Sequence, residues 1–274
     1  MSNNKNYLIG QFAKYHGNGN DFIIINHTDK SPDLSKLISL SKSLCDRHRG
    51  IGADGILVLS PTSEGLHMVV INSDGSLAQN CGNGLRCAAR WYFDTHNNKR
   101  EVSIYLASKN YLCVLEGENI SVQIGLCHVE RLKNMNFGVL EAQCFKAQLG
   151  NNHLVFIFAK PDLDLNLKLV TQVQKEFPDA HEYNLGFVTP CTQGYYSRVF
   201  ERGVGFTKSC GSGACAAGAA LSMGYEQGQE RNLELSQPGG PIWVDAHVLE
   251  NKGCHARFLL KLAGPAQAIF LGVL

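Results

Sequence analysis

Charge is scarce in this chain. Asp, Glu, Lys and Arg together make up 18% of 274 residues, and 25 Lys and Arg against 24 Asp and Glu leave a formal net charge of +1. That balance excludes the basic excess by which proteins hold nucleic acid or anionic membranes, so a small-molecule partner is expected. Long apolar runs are also missing. The longest, residues 154–159, falls far short of the roughly 20 residues that span a bilayer, so no membrane partner is expected. The opening residues, MSNNKNYLIG, are polar and lack the apolar core of a signal peptide, and the expected location is the cytoplasm. The ten cysteines are scattered through a long chain, which argues against a disulfide scaffold. Zinc spacing is absent too. Cys81 with Cys87 and Cys210 with Cys215 lack the gap of about two to four residues typical of a zinc site, and no metal is expected. Cys87 and Cys215 instead point away from the motif cysteines on a helix and read as core residues.

The chain does contain a repeated motif. Cys81-Gly82-Asn83-Gly84 recurs as Cys210-Gly211-Ser212-Gly213, 129 positions later, and each copy opens a run of small and apolar residues that predicts a helix. A repeat at nearly half the chain length points to two duplicated halves rather than a solenoid. Ahead of the first motif, the patterns predict strands at 22–26, 56–59 and 66–72, with a helix between the first two that is capped by Ser31-Pro32 and stopped by Gly50. The turn 72–75 leads to the first motif helix, which runs to about residue 96, and three short strands end near Gly125. The second half repeats this order. Strands are expected at 141–149 and 153–159, a helix at 165–177, strands at 185–189 and 195–201, then the second motif helix and closing strands near 241–248, 256–262 and 268–274. The second motif helix carries no charge from 214 to 223 and should be buried on all sides. In the first, Arg86 and Arg90 are expected to snorkel out of a core helix, with pairing across a domain interface as the alternative.

A cysteine alone reads most simply as a buried structural thiol. The duplicated glycines shift that reading, because they clear side chains from backbone amides that a ligand could approach at a helix N-terminus. A helix end favours thiolate and also binds carboxylate. Two equivalent thiols suit stereoinversion without a cofactor, in which one thiolate removes an α-proton while the opposite thiol delivers another. Other polar segments are weaker. The run from His16 to Asp21 resembles a phosphate loop only superficially, the run from Arg47 to Gly55 reads as a helix stop and turn, and Glu201-Arg202-Gly203 reads as a solvated strand end.

Taken together, HGNGNDF (from His16), RHRGIGADG (from Arg47), INSDGSLAQNCGNGLRC (from Ile71), GNNH (from Gly150), YNLGF (from Tyr183), ERGVGFTKSCGSGACAA (from Glu201) and QPGG (from Gln237) resemble the diaminopimelate epimerase family in the family's own order. The pattern departs from the family at Asn152, where proline is usual, and through 127–149. The resemblance implies an α/β (α+β) fold of two pseudo-symmetric domains, each a curved, mostly antiparallel β-sheet or barrel wrapped around a central α-helix, with the active site in the interdomain cleft. The expected division is residues 1–126 with 266–274, carrying Cys81, and residues 127–265, carrying Cys210.

Carried over residue by residue, the resemblance makes Cys81 and Cys210 the proton-transferring pair. It assigns carboxylate capture at the reacting centre to Gly82, Asn83, Gly211 and Ser212, and the distal amino and carboxylate groups to Asn72, Asn151, Asn184 and Arg202. Asn20 and Glu201 match contacts near the reacting amine, and His153 matches a supporting histidine that tunes the thiols. It further implies no cofactor, a homodimer, and interconversion of LL- and meso-2,6-diaminopimelate in lysine and peptidoglycan precursor synthesis. Two rival readings are racemisation of another amino acid such as histidine or proline, or a related isomerisation, on the same fold, and a non-catalytic module that binds an amino acid.

Overall fold

The computed structural model describes residues 10–27, 33–96, 98–161 and 164–274. They form two compact units, residues 1–122 with 265–274 and residues 123–264. Each is built on the same order of elements.

In the first unit, β1 (Gln11–Gly17) and β2 (Asn20–Asn26) form a hairpin, and α1 (Leu34–Leu44) then leads to β3 (Gly55–Thr62), which lies parallel to β2. β4 (Gly65–Asn72) returns antiparallel to β3, short β5 (Leu77–Ala78) follows, and α2 (Gly82–Thr95) carries the chain to β6 (Glu101–Leu106), parallel to β4. β7 (Lys109–Glu116) and the start of β8 (Asn119–Arg131) extend the sheet by hairpins. The β1–β2 connection is a two-residue turn in which Asn18 and Gly19 both take positive φ, 53° and 76°. That geometry favours Asn-Gly and matches strand twist, so the glycine-rich segment near His16 is a hairpin turn.

In the second unit, short β9 (Met135–Phe137) pairs with β10 (Leu140–Leu149), and β10 and β11 (Asn151–Phe158) form a hairpin. α3 (Leu167–Glu176) precedes β12 (Asn184–Cys191), parallel to β11. β13 (Gly194–Glu201) and short β14 (Gly205–Phe206) lead to α4 (Gly211–Leu221), which delivers the chain to β15 (Glu230–Gln237), parallel to β13. β16 (Gly240–Asn251) and β17 (His255–Pro265) follow as hairpins. β17 pairs with β8, and β8 with β10, so the strand order β8-β10-β11-β12-β13-β15-β16-β17 closes into an eight-stranded barrel. β18 (Gln267–Val273) returns to the first unit and pairs with β1.

The two cores of the second unit explain this layout. The inner one places Ala214, Cys215, Ala216 and Ala219 of α4 against Val155, Val244, Leu260 and Phe258. The outer one packs Leu169, Val170 and Val173 of α3 against Phe156, Phe187 and Leu185 on the other face of the same strands. Alternating residues of β11 thus serve opposite cores, as a period of two requires. α4 is small-residue and apolar because it threads the barrel: a Cβ on Gly218 would lie 2.7 Å from Val244. In the first unit α1 packs Leu37 and Leu44 on Ile23, Ile56 and Ile71.

Several expectations are corrected. Ser31 and Pro32 lie outside the described residues, and the cap of α1 is Asp33, whose carboxylate accepts from the Lys36 amide at 2.7 Å. α1 ends at Leu44, before Gly50. The third strand of the first half does not stop at Gly125 but continues as β8 to Arg131. Among the described residues, no helix is long and apolar enough to cross a membrane.

Candidate active site

Both motif cysteines are helix N-caps. Cys81 Sγ accepts from the amide of Gly84 at 3.3 Å, and Cys210 Sγ accepts from the amide of Gly213 at 3.4 Å. The sulfur thus replaces the oxygen of an ordinary capping side chain. The amides of the next two residues, Gly82 and Asn83 or Gly211 and Ser212, lie outside the intrahelical ladder, where a helix N-terminus binds anions. The fourth residue of each motif makes room for the thiol itself. A Cβ on Gly84 would sit 2.8 Å from Cys81 Sγ, and one on Gly213 would sit 2.5 Å from Val199 and 3.3 Å from Cys210 Sγ.

Around Cys81, Asn83 donates to the carbonyl oxygen of Asn20 at 3.2 Å, and Asn20 donates to Asp54 at 2.7 Å. Arg47 spans Asp54 and Asp21, at 2.8 and 2.6 Å. The buried Lys14 ammonium completes the cluster, 2.6 Å from Asp21 and donating to the Gly52 carbonyl. Burial raises the Asp21 carboxyl, but hydrogen bonds from Arg47 and Lys14 prevail and hold it well below the usual carboxylate range. Arg86 does not snorkel. Its side chain is fully buried in this unit, with Nη2 donating to Asn18 at 2.7 Å and to Asn83 at 2.9 Å. Asn72 stands at the end of β4 and donates to Ser76 at 2.9 Å.

Around Cys210 the setting is acidic. Thr207 donates to Glu201 at 2.6 Å, Ser212 Oγ lies 3.5 Å from the sulfur, and Gln237 accepts from the Cys210 amide at 2.9 Å. Burial first, then the Glu201 carboxylate, pushes the Cys210 thiol well above its ordinary range, against the opposing pull of Ser212 and the Gly213 amide. The expectation that a helix end would favour thiolate is therefore corrected at Cys210, where the loss of solvation outweighs the helix-end amide. Burial also raises the Glu201 carboxyl, opposed by its hydrogen bonds with Thr207 and Cys210.

The other expected residues of this unit divide into two groups. Asn184 accepts from the Arg202 amide at 2.9 Å, which ties the start of β12 to the end of β13. His153 is the register partner of Asn184 and is fully buried; among the described residues neither ring nitrogen has a hydrogen-bond partner, and burial lowers its pKa to about 4. It forms no hydrogen bond to Cys210 among the described residues. Asn151 is exposed at the β10–β11 turn, where Gly150 takes a φ of 95°. Lys14, Arg47, Asp54 and Gln237 are given no site role by the sequence reading, although all but Lys14 stand inside the quoted motif runs, and Arg86 is read there only as a residue of a core helix.

Comparison with known proteins points one way. The diaminopimelate epimerase family model matches residues 12–128 and again 145–257. The diaminopimelate epimerase of Rickettsia akari (strain Hartford) is 36% identical over 231 residues, covering 78% of this chain and 83% of the relative. That of Xanthomonas axonopodis pv. citri (strain 306) is 35% identical over 256 residues, covering 85% and 88%. The fold also matches the crystal structure of a PhzF-family phenazine biosynthesis protein from Bacillus anthracis, with a TM-score of 0.71 over 97% of this chain and 98% of that one at 13% identity. A hydroxyproline epimerase from Agrobacterium vitis shares the fold at a TM-score of 0.64 and 12% identity, covering 97% and 92%. A chain of these motifs, in which each half carries a cysteine-capped helix, belongs to the diaminopimelate epimerase family.

Proposed function

We propose that this protein interconverts LL- and meso-2,6-diaminopimelate by a two-base mechanism without a cofactor, with Cys81 and Cys210 acting on opposite faces of one α-carbon. In each direction a thiolate takes the α-proton and becomes a thiol, and the opposite thiol gives its proton to the carbanion and becomes the thiolate. The carboxylate at the reacting centre carries the developing negative charge, and the N-terminal amides of α2 and α4 stabilise it through Gly82, Asn83, Gly211 and Ser212. Asn20 and Glu201 meet the reacting ammonium. Asn72, Asn151, Asn184 and Arg202 hold the distal zwitterion, and an unpaired distal site would penalise shorter amino acids. His153 supports this set by packing beside Asn184.

The observation that carries the reading is the doubled N-cap, with Sγ to amide distances of 3.3 and 3.4 Å. The decisive experiment is α-proton exchange in deuterated water with diaminopimelate, histidine and proline. Exchange with diaminopimelate alone is expected, lost in Cys81→Ala and Cys210→Ala; exchange with histidine but not diaminopimelate overturns the substrate. Retained ligand binding by both alanine variants, with no turnover by the parent, overturns the enzyme reading in favour of a binding module.

The need for two reduced thiols supports a cytoplasmic setting. A second copy of the chain is the proposed partner at β18. Ile269, Phe270, Leu271, Val273 and Leu274 are all exposed there, and among the described residues β18 pairs only with β1. A long apolar edge strand of this kind is normally covered, and a two-fold axis lets identical strands cover each other.

A further inference from the structure

The two asparagines beside Cys81 belong to a hydrogen-bonded chain whose ends have opposite and fixed polarity. A carboxylate only accepts and a guanidinium only donates. At one end, Asp54 receives the N–H₂ of Asn20 at 2.7 Å, which turns the Asn20 carbonyl oxygen toward Asn83. At the other end, Arg86 Nη2 donates to the Asn83 carbonyl oxygen at 2.9 Å, which turns the Asn83 N–H₂ toward Asn20 at 3.2 Å. Neither amide can flip alone. Turning Asn83 over would set N–H₂ against a guanidinium and oxygen against oxygen; turning Asn20 over would set oxygen against a carboxylate and N–H₂ against N–H₂.

Both ends are anchored far from each other in sequence. Asp54 is gripped by Arg47 and by the Asp21 amide at 3.0 Å. Arg86 is fixed inside the unit by Asn18, the first residue of the β1–β2 turn. Gly17 makes this approach possible, since a Cβ there would stand 3.3 Å from Arg86 Nη2.

We propose that Asp54 and Arg86 are positioning residues that fix the polarity of the Asn20–Asn83 pair, so that the pair turns the Asn20 carbonyl, with its second lone pair, to the ammonium of an amino-acid centre. The lone pair of Asn20 suits an ammonium, which only donates. The opposite polarity would set N–H₂ against that ammonium and repel it. Asp54 and Arg86 thereby make the half-site selective for a zwitterion over a bare carboxylate. The proposal rests on the amino-acid epimerase reading above.

The test compares diaminopimelate with pimelate, the same carbon chain without its amino groups, in the full-length wild type and in Asp54→Asn, Arg86→Gln and Arg86→Lys. Affinity is read as the ligand concentration that half-protects Cys81 from iodoacetamide, resolved by peptide mass spectrometry, with the exposed Cys254 as the reagent reference. The preference for diaminopimelate over pimelate should fall about tenfold in Asp54→Asn and Arg86→Gln, as expected for one charged hydrogen bond. Arg86→Lys, still a pure donor, should keep most of it. Comparable weakening of both ligands overturns the proposal, as does equal loss in Arg86→Lys and Arg86→Gln. Should Arg86→Gln fail to fold, Asp54→Asn at the exposed end decides alone. Wild-type α-proton exchange is measured alongside, and its absence overturns the epimerase reading separately from the binding ratio.

Discussion

Gln237 holds both backbone polar groups of Cys210: its Oε1 accepts from the Cys210 amide at 2.9 Å, and its Nε2 donates to the Cys210 carbonyl at 3.4 Å. The same Nε2 donates to Ser197 at 3.3 Å, so the end of β15 fixes the residue that caps α4. Gln237→Leu leaves the Cys210 amide buried without this partner, at a cost of about 1–3 kcal/mol of stability. It also frees the N-cap geometry on which the proposed proton transfer depends. The expected outcome is a fall in kcat of about tenfold to a hundredfold, with KM changed much less. Steady-state epimerisation assays check this; a KM rise with unchanged kcat would assign Gln237 to substrate binding instead.

Gly84 and Gly213 allow stability and activity to be separated. Alanine in a helix interior is favoured over glycine by about 1 kcal/mol, yet a Cβ at Gly84 would stand 2.8 Å from the Cys81 sulfur. Gly84→Ala should therefore leave the thermal midpoint within a few degrees of the parent while lowering kcat by about a hundredfold, because small displacements of reacting groups are costly. At Gly213 the added methyl also meets Val199 at 2.5 Å, so Gly213→Ala should lose both stability and activity. Thermal unfolding and turnover measured on the same preparations test the contrast.

The legible parts of the fold are those whose partners lie close in sequence. The Asn72–Gly75 turn, both motif helices and the buried character of α4 follow from local pattern. β15 does not, because ERNLELSQ alternates half-exposed charges with only two leucines and resembles a solvated segment. The run of β8 through Gly125 was hidden for a related reason: a glycine with a φ of 102° reads as a stop, yet it interrupts the strand without ending it. Arg86 was misread because its burial depends on Asn18, 68 positions away, which only the fold brings beside it. The cysteines were legible through repetition; the residues that orient Asn20 and Asn83 were not.

His153 makes stability depend on pH. Burial lowers its folded pKa to about 4 from an unfolded value of 6.5, so the folded protein keeps it neutral while the unfolded chain takes up a proton. Between those values the unfolded state binds more protons, and stability rises with pH by about 1.4 kcal/mol per unit, or about 3 kcal/mol in all. The penalty is complete below about pH 4 and absent above about 6.5. Asp21, whose folded pKa is depressed, loses stability only at still lower pH, from its ordinary value of 3.8 downward. In His153→Leu, denaturant unfolding between pH 4 and 6.5 should show a flatter dependence by about one proton. An unchanged slope would mean that His153 titrates alike in both states.

The exposed face of β18 gives the last prediction. Leu271 is 78% and Val273 52% exposed on a strand whose outer edge has no partner among the described residues. Alternating side chains point to opposite faces of a strand, so Leu271 and Val273 share one face, on the C-terminal side of the register shift at Ile269. Leu271→Lys and Val273→Lys place charge at the centre of that face, and like charges meeting across a two-fold axis oppose pairing. The double variant should sediment as a monomer at concentrations where the parent is a dimer, with its far-ultraviolet dichroism unchanged. Gly272 supplies an internal control for folding, because a Cβ there would lie 2.4 Å from the Phe12 ring: Gly272→Ala should disturb the β1–β18 pairing itself and lower the melting temperature. A parent that sediments as a monomer at every concentration removes β18 as a dimer interface.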